Sequence, residues 1–141
     1  MVPEIKITKN PPSDLLNQLE KEIRSDHNIL SPEKKTIESI TLSIHNENIL
    51  IGGLYARMPG NWLHITMLWV AENKRRSGIG QLLVEKAENE AITKGCKYSM
   101  LEASTPESKK FYMKQGYKLY AELPDFPVDF NKRYYLKKHL S

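Results

Sequence analysis

The sequence predicts a single α/β domain in which strands outnumber helices. Three observations carry that prediction. The chain has 141 residues, 40% of them hydrophobic and 27% charged, enough for one ordinary core and short for two typical domains. Short apolar runs with period-two alternation dominate its middle, then interleave with helical spacing toward the end. A basic, glycine-containing loop joins the most apolar strand candidate to a helix candidate.

Residues 4–8 alternate apolar and polar and read as a short strand. After Pro11-Pro12, Ser13 or Asp14 is positioned to cap a helix whose apolar stripe is Leu15, Leu16, Leu19 and Ile23. Residues 29–35 read as a loop with a Ser-Pro break. Residues 37–45 and 48–56 are two strands joined at Asn46-Glu47, a hairpin turn. Gly52-Gly53 inside the second strand predicts a bulge or a close approach to the backbone. Residues 58–61 make a turn, and residues 62–70 are the most apolar strand. The basic, glycine-containing loop from Lys74 to Gly80 opens a helix running to about Lys94, with Ile79, Leu82, Leu83, Ala87, Ala91 and Ile92 on one face and Gly95 at its end. Then come a strand at 98–103, a short helix at 106–115 stopped by Gly116, and a strand at 117–121. A proline-containing loop at 123–131 and a last strand at 133–137 complete the chain.

Lys and Arg number 21 against 17 Asp and Glu, a net charge of +4. That balance suits an anionic ligand, but the charges are dispersed and lack the interleaved aromatic residues of RNA-binding modules, so no nucleic acid is expected. No apolar run approaches the ~20 residues that span a bilayer, and the first ten residues lack a signal-peptide core, so a cytoplasmic protein without a membrane partner is expected. The one cysteine, Cys96, excludes an internal disulfide framework and a CxxC site. His27, His45 and His139 show no metal-ligand spacing, and no metal is expected.

The loop from Lys74 to Gly80 carries the functional signal. A buried strand ends, basic residues follow, and a helix starts on glycine. The unpaired N–H groups of a first helical turn, with the positive dipole end, form an anion site. A phosphate or pyrophosphate is therefore the expected ligand group. A P-loop would need Gly-Lys-Ser/Thr, where this chain has Gly80-Gln81-Leu82. A dinucleotide fingerprint would need a third glycine, where Leu83 stands. The spacing present is Arg75-x-x-Gly78-x-Gly80, and downstream lies Phe111-Tyr112-Met113-Lys114-Gln115-Gly116-Tyr117.

These two segments, separated by one helix and one strand, resemble the acetyl-CoA motif and the Phe-Tyr-x-x-x-Gly-Phe/Tyr segment of the GNAT superfamily of N-acetyltransferases. Arg133 to Lys138 is similar to the closing strand of small bacterial members. The resemblance covers about residue 40 to the C-terminus and implies one N-acetyltransferase domain over residues 1–141. It implies a central mixed, mostly antiparallel sheet of about six to seven strands with a splayed central strand, flanked by about three to four helices. It implies acetyl-CoA as cosubstrate, held by Leu68, Trp69 and Val70 of the central strand and by Arg75, Arg76, Ser77, Gly78, Ile79, Gly80 and Gln81. Thr105 and Ser108 stand where many members carry Asn and Ala, and are expected to face the cofactor.

The implied reaction moves an acetyl group from a thioester to an amine, which must be uncharged to attack although a free alkylammonium has a pKa near ~10.4. Tyr112 matches the phenol that the family places beside the CoA sulfur, where it protonates the leaving thiolate; the alternative is packing on the sheet. A backbone N–H near Leu68 to Val70 is expected to meet the oxyanion. The base is His64, Thr66, Glu102 or an ordered water chain. His64 matches a glutamate of some members, Thr66 stands where relatives often have an acidic residue, and Glu102 is alternatively an anchor for the substrate ammonium. Acidic and aromatic residues around Glu122, Asp125, Phe126, Asp129 and Phe130 suit a cationic, partly apolar small amine. A protein lysine or N-terminus as acceptor, a non-catalytic acetyl-CoA or nucleotide sensor, and a homodimer are the alternatives left open.

Overall fold

A computed structural model describes residues 3–27 and 37–140. The chain divides into two compact units, Met1–Thr36 and Ile37–Ser141. In the first unit, helix α1 spans Ser13–His27. It starts where the cap residues predict, behind Pro11-Pro12, and carries Asp14 in its first turn, where the helix dipole favours a negative charge. Residues 4–8 form no strand, contrary to the alternation, because alternation alone supplies no ladder partner. The Ser-Pro break expected at 29–35 lies outside the described residues.

The second unit is a six-stranded sheet with two α-helices. Its strands are β1 (Glu38–Asn46), β2 (Ile49–Met58), β3 (Trp62–Val70), β4 (Tyr98–Ala103), β5 (Lys118–Pro124) and β6 (Lys132–His139). Helix α2 is Ile79–Thr93 and α3 is Pro106–Lys114. The sheet order is β1-β2-β3-β4-β6-β5, with β3 and β4 parallel and every other neighbouring pair antiparallel. Helix α2 packs on β1 to β3, and α3 on β4 and β6.

The hairpin between β1 and β2 turns at Glu47-Asn48, one residue beyond the expected pair, and both residues have left-handed φ values of 49° and 69°. Such a turn matches the twist of its strands. At Gly52 both sequence expectations hold. Ile44 pairs Gly52 and His45 pairs Leu50, so Ile51 is an inserted residue. A Cβ on Gly52 would stand 3.1 Å from Ile79 Cγ2, so the glycine lets the start of α2 sit against β2.

The buried face of α2 is Leu83, Val84, Ala87, Glu88 and Ala91. Leu82 and Ile92 are exposed, contrary to expectation. At roughly 100° per residue, Leu82 lies about opposite the centre of that face, which the sequence stripe had drawn too wide. Glu88 is buried because Tyr117 Oη donates to it at 2.9 Å and Lys138 Nζ at 2.9 Å. No described helix is long and apolar enough to cross a membrane.

Candidate active site

The site begins with one inserted residue. On β3, Ile65 pairs Ala56 and Met67 pairs Tyr55, which leaves Thr66 without a partner on β2. Its hydroxyl donates to the Tyr55 carbonyl at 3.3 Å. Strand side chains alternate with period two, so an insertion of one exchanges the faces beyond it. Leu63 and Ile65 face the core before the bulge, and Leu68 and Val70 face it afterwards. Met67 and Trp69 are thereby turned outward.

At the same point β3 leaves β4, since the last pair of that ladder is Ile65 with Leu101. The two strands splay, and a cleft of about 280 Å³ opens between them, lined among others by Thr66, Leu68, Trp69, Glu102 and Tyr112. The main chain of β3 faces this cleft in a defined way. Ala71 N–H donates to the Ile51 carbonyl at 2.8 Å. The alternation of an antiparallel ladder then turns residues 71, 69 and 67 toward β2, and the N–H and C=O groups of Leu68 and Val70 toward the gap. Arg75 Nε donates to the Val70 carbonyl at 3.0 Å. The Leu68 and Val70 N–H groups have no ladder partner among the described residues.

A second set of free donors lies at the start of α2. The first helical hydrogen bond runs from Leu82 N–H to the Gly78 carbonyl at 3.0 Å, and no side chain caps the helix. The N–H groups of Ile79, Gly80 and Gln81 are therefore open, as an anion requires. The chain enters this turn through two left-handed residues, Arg76 at φ 64° and Gly78 at φ 89°. Ser77 Oγ bonds the Lys74 carbonyl and so closes the loop on itself. Gln81 Nε2 reaches along the helix to Glu85 at 2.9 Å.

The two motif glycines have different reasons. At Gly78 a Cβ would meet nothing within 4 Å, so the left-handed φ is what calls for glycine. At Gly80 a Cβ would stand 3.2 Å from Phe111 Cζ and 3.4 Å from Phe111 Cε1. That glycine makes room for a protein ring. The glycine of one motif thus packs on the phenylalanine of the other.

Phe111 in turn contacts Tyr112 edge-on, with ring centroids 5.0 Å apart. Tyr112 is buried on α3, and its ring also meets Tyr117 edge-on at 5.7 Å. Burial pushes its phenol up to about 12. The hydroxyl has no hydrogen-bond partner among the described residues. A neutral donor thus stands at the cleft wall.

On β4, Ser99, Leu101 and Ala103 are buried toward the helices, and the alternation sets Glu102 on the opposite face. Glu102 enters the cleft there, and Arg133 Nη1 donates to its Oε2 at 2.8 Å. The guanidinium carbon of Arg133 lies 4.6 Å from the centroid of the Phe126 ring. The sequence places Arg133 in the closing strand but carries no signal for this contact, which depends on the pairing of β6 with β4, where Tyr135 stands opposite Glu102.

Of the other sequence candidates, Ser108 borders the cleft, and His64 and Thr105 fall nearby without joining it. His64 pairs Met100 on the intact part of the ladder and is not among the lining residues. Thr105 is the N-cap of α3; its Oγ1 accepts from Ser108 N–H at 3.1 Å and donates to Ser108 Oγ at 2.9 Å. Those two hydroxyls are engaged with one another, although Ser108 also borders the cleft. Cys96 is buried, and burial pushes its thiol up, away from a nucleophilic role.

A profile of the acetyltransferase (GNAT) family matches residues 11–117. The chain belongs to this family. Among GNAT relatives, the blasticidin-S acetyltransferase of Streptomyces morookaense is 38% identical over 79 residues, which make 55% of this chain and 58% of that protein. The chain spans 58% of the length of the curated relatives it matches. A crystal structure of an acetyltransferase from Bacillus cereus ATCC 14579 superposes with a TM-score of 0.84 at 30% identity, covering 96% of this chain and 98% of that one. An aminoglycoside 6′-N-acetyltransferase complexed with coenzyme A shares the fold, with a TM-score of 0.68 at 19% identity over 92% of this chain and 88% of that one. The mixed six-stranded sheet with its splayed central strand is the GNAT fold that the two sequence motifs imply.

Proposed function

We propose that this chain is an acetyl-CoA-dependent N-acetyltransferase acting on a primary amine of a small molecule. The observation that carries the reading is the gap between β3 and β4, which has free main-chain donors on its edge, Tyr112 on the helix side and Glu102 on the other. The match of residues 11–117 to one family profile supports treating both units as one acetyltransferase domain. The relative named for blasticidin-S supports a small-molecule acceptor over a protein lysine or N-terminus.

In this reading the open N–H groups of residues 79–81 hold the pyrophosphate of acetyl-CoA, with Arg75 and Arg76 adding charge at the rim. Leu68 and Val70 offer their N–H groups to the pantetheine arm and to the acetyl oxygen. Tyr112 protonates the departing sulfur, a role that its burial serves by keeping the phenol neutral at working pH. Glu102 holds the amine from the opposite face, and cleft water removes the ammonium proton. His64, one ladder pair short of the splay, is left with a supporting place on the amine-side face.

Thermal shift against acetyl-CoA, CoA, NAD and ATP tests the cofactor assignment. Acetyl-CoA and CoA raise the melting temperature by mass action, and NAD does not. CoA-thiol release with benzylamine, spermidine, kanamycin and blasticidin S then tests the acceptor class. Stabilisation by CoA with no release from any of these amines overturns the small-amine reading and favours a sensor or a protein acceptor.

A further inference from the structure

The contact between Arg133 and Glu102 has an unusual form. A guanidinium and a carboxylate commonly meet through two parallel N–H···O bonds. Here Nη1 alone reaches Oε2, at 2.8 Å. Arg133 Nε is buried and has no hydrogen-bond partner among the described residues. The Phe126 ring lies against the guanidinium with 4.6 Å between the ring centroid and the guanidinium carbon, which holds its plane. A buried N–H without a partner is unfavourable, so the end-on contact is kept at a cost. Its effect is to leave Glu102 Oε1 free of any protein donor among the described residues, on a carboxylate that lines the cleft.

We infer that Arg133 is a positioning residue that presents Glu102 to the acceptor amine and limits how tightly the charged form of that amine is held. The inference rests on the proposed acetyltransferase reading, in which Glu102 anchors the amine. A lone carboxylate would pair strongly with an ammonium and stabilise the form that is unable to attack. Paired with Arg133, the same carboxylate forms a locally neutral unit with one oxygen for an N–H donor. The binding energy of the amine is then spent less on its ground-state charge. Phe126 supports the arrangement from the 125–131 loop, and the ion pair of Lys132 with Glu122, at 3.9 Å, is exposed.

The test compares Arg133→Met, Arg133→Lys and Glu102→Gln, using whichever of the four named amines gives the fastest CoA-thiol release. Arg133→Met keeps an unbranched side chain against Phe126 and removes the charge. The amine KM should fall by up to about five-fold, the range of a partly exposed ion pair, while kcat falls and the acetyl-CoA KM holds. Arg133→Lys should restore the amine KM. Placing Arg133→Met on Glu102→Gln should abolish its effect on the amine KM, because the carboxylate it acts through is gone. An amine KM that rises or does not change in Arg133→Met overturns the inference, and so does a raised amine KM in Arg133→Lys should the first variant fail to fold. An unchanged amine KM in Glu102→Gln instead removes the anchor itself, which is a failure of the underlying reading.

Discussion

Tyr112 shows how one residue separates packing from chemistry, with its ring in the core and its hydroxyl at the cleft. Its ring is fixed edge-on between Phe111 and Tyr117, so the ring alone accounts for its contribution to the core. The hydroxyl contributes no hydrogen bond to any described residue, and Tyr112→Phe should therefore leave the melting temperature nearly unchanged. If the hydroxyl protonates the leaving sulfur, kcat should fall by ~10²–10⁴-fold with the acetyl-CoA KM preserved. Steady-state kinetics under conditions where chemistry limits the rate decide the matter. Wild-type kcat in Tyr112→Phe would return the residue to packing alone. With the phenol pushed up to about 12, the donor also stays protonated well above its ordinary value near 10. No loss of kcat traceable to Tyr112 is expected as pH rises from about 8 to about 10.

At the scale of elements, the local signals were legible and the long-range ones were not. Trp62–Val70 and Tyr98–Ala103 match the predicted strands residue for residue, because apolar runs between turn residues are read within a few positions. The bulge at Thr66 was not legible. His64 and Thr66 alternate with Leu63 and Ile65 and show the parity up to the bulge, but the apolar run Met67 to Val70 carries none, so nothing in it shows that the inward residues become Leu68 and Val70. Gly80 was legible as a requirement, but its reason, the Phe111 ring, lies on another helix. That reason makes a prediction. Gly80→Ala overpacks the junction of α2 and α3 and should cost about 1–3 kcal/mol in denaturant unfolding without any ligand. Phe111→Leu on the same chain should recover part of that loss. Gly78→Ala adds its methyl to open space and should cost only the roughly 1–2 kcal/mol of a left-handed residue, with no rescue by Phe111→Leu. No rescue of Gly80→Ala by Phe111→Leu would show that the ring does not dictate the second glycine.

Across the molecule, the helix side of the sheet is held by a polar chain that no single segment announces. Ser99 Oγ and Tyr117 Oη are 2.7 Å apart, Tyr117 donates to Glu88, and Lys138 bridges Glu88 to the Gln115 carbonyl at 2.8 Å. The chain ties β4, α2, the end of α3 and β6 together behind Tyr112. Two phenols, Tyr117 within that chain and Tyr112 beside it, are largely buried, and burial raises both. Folding is therefore linked to pH on the alkaline side. Below about pH 10 the phenols are neutral in folded and unfolded chains alike, and their contribution is fully present. Above it the unfolded chain releases protons that the folded one keeps, so stability falls until the folded value is passed. For Tyr112, ordinary near 10 and about 12 when folded, the loss by pH 11 is on the order of 1 kcal/mol. Lysines titrate in the same range, so the comparison with Tyr112→Phe is what isolates the phenol. Urea unfolding at about pH 9 and about pH 11 should show wild type losing more stability than Tyr112→Phe, by on the order of 1 kcal/mol. Parallel losses in the two proteins would mean that the Tyr112 hydroxyl ionises as freely in the folded protein as in water, and that the cleft wall behind the proposed general acid is wet.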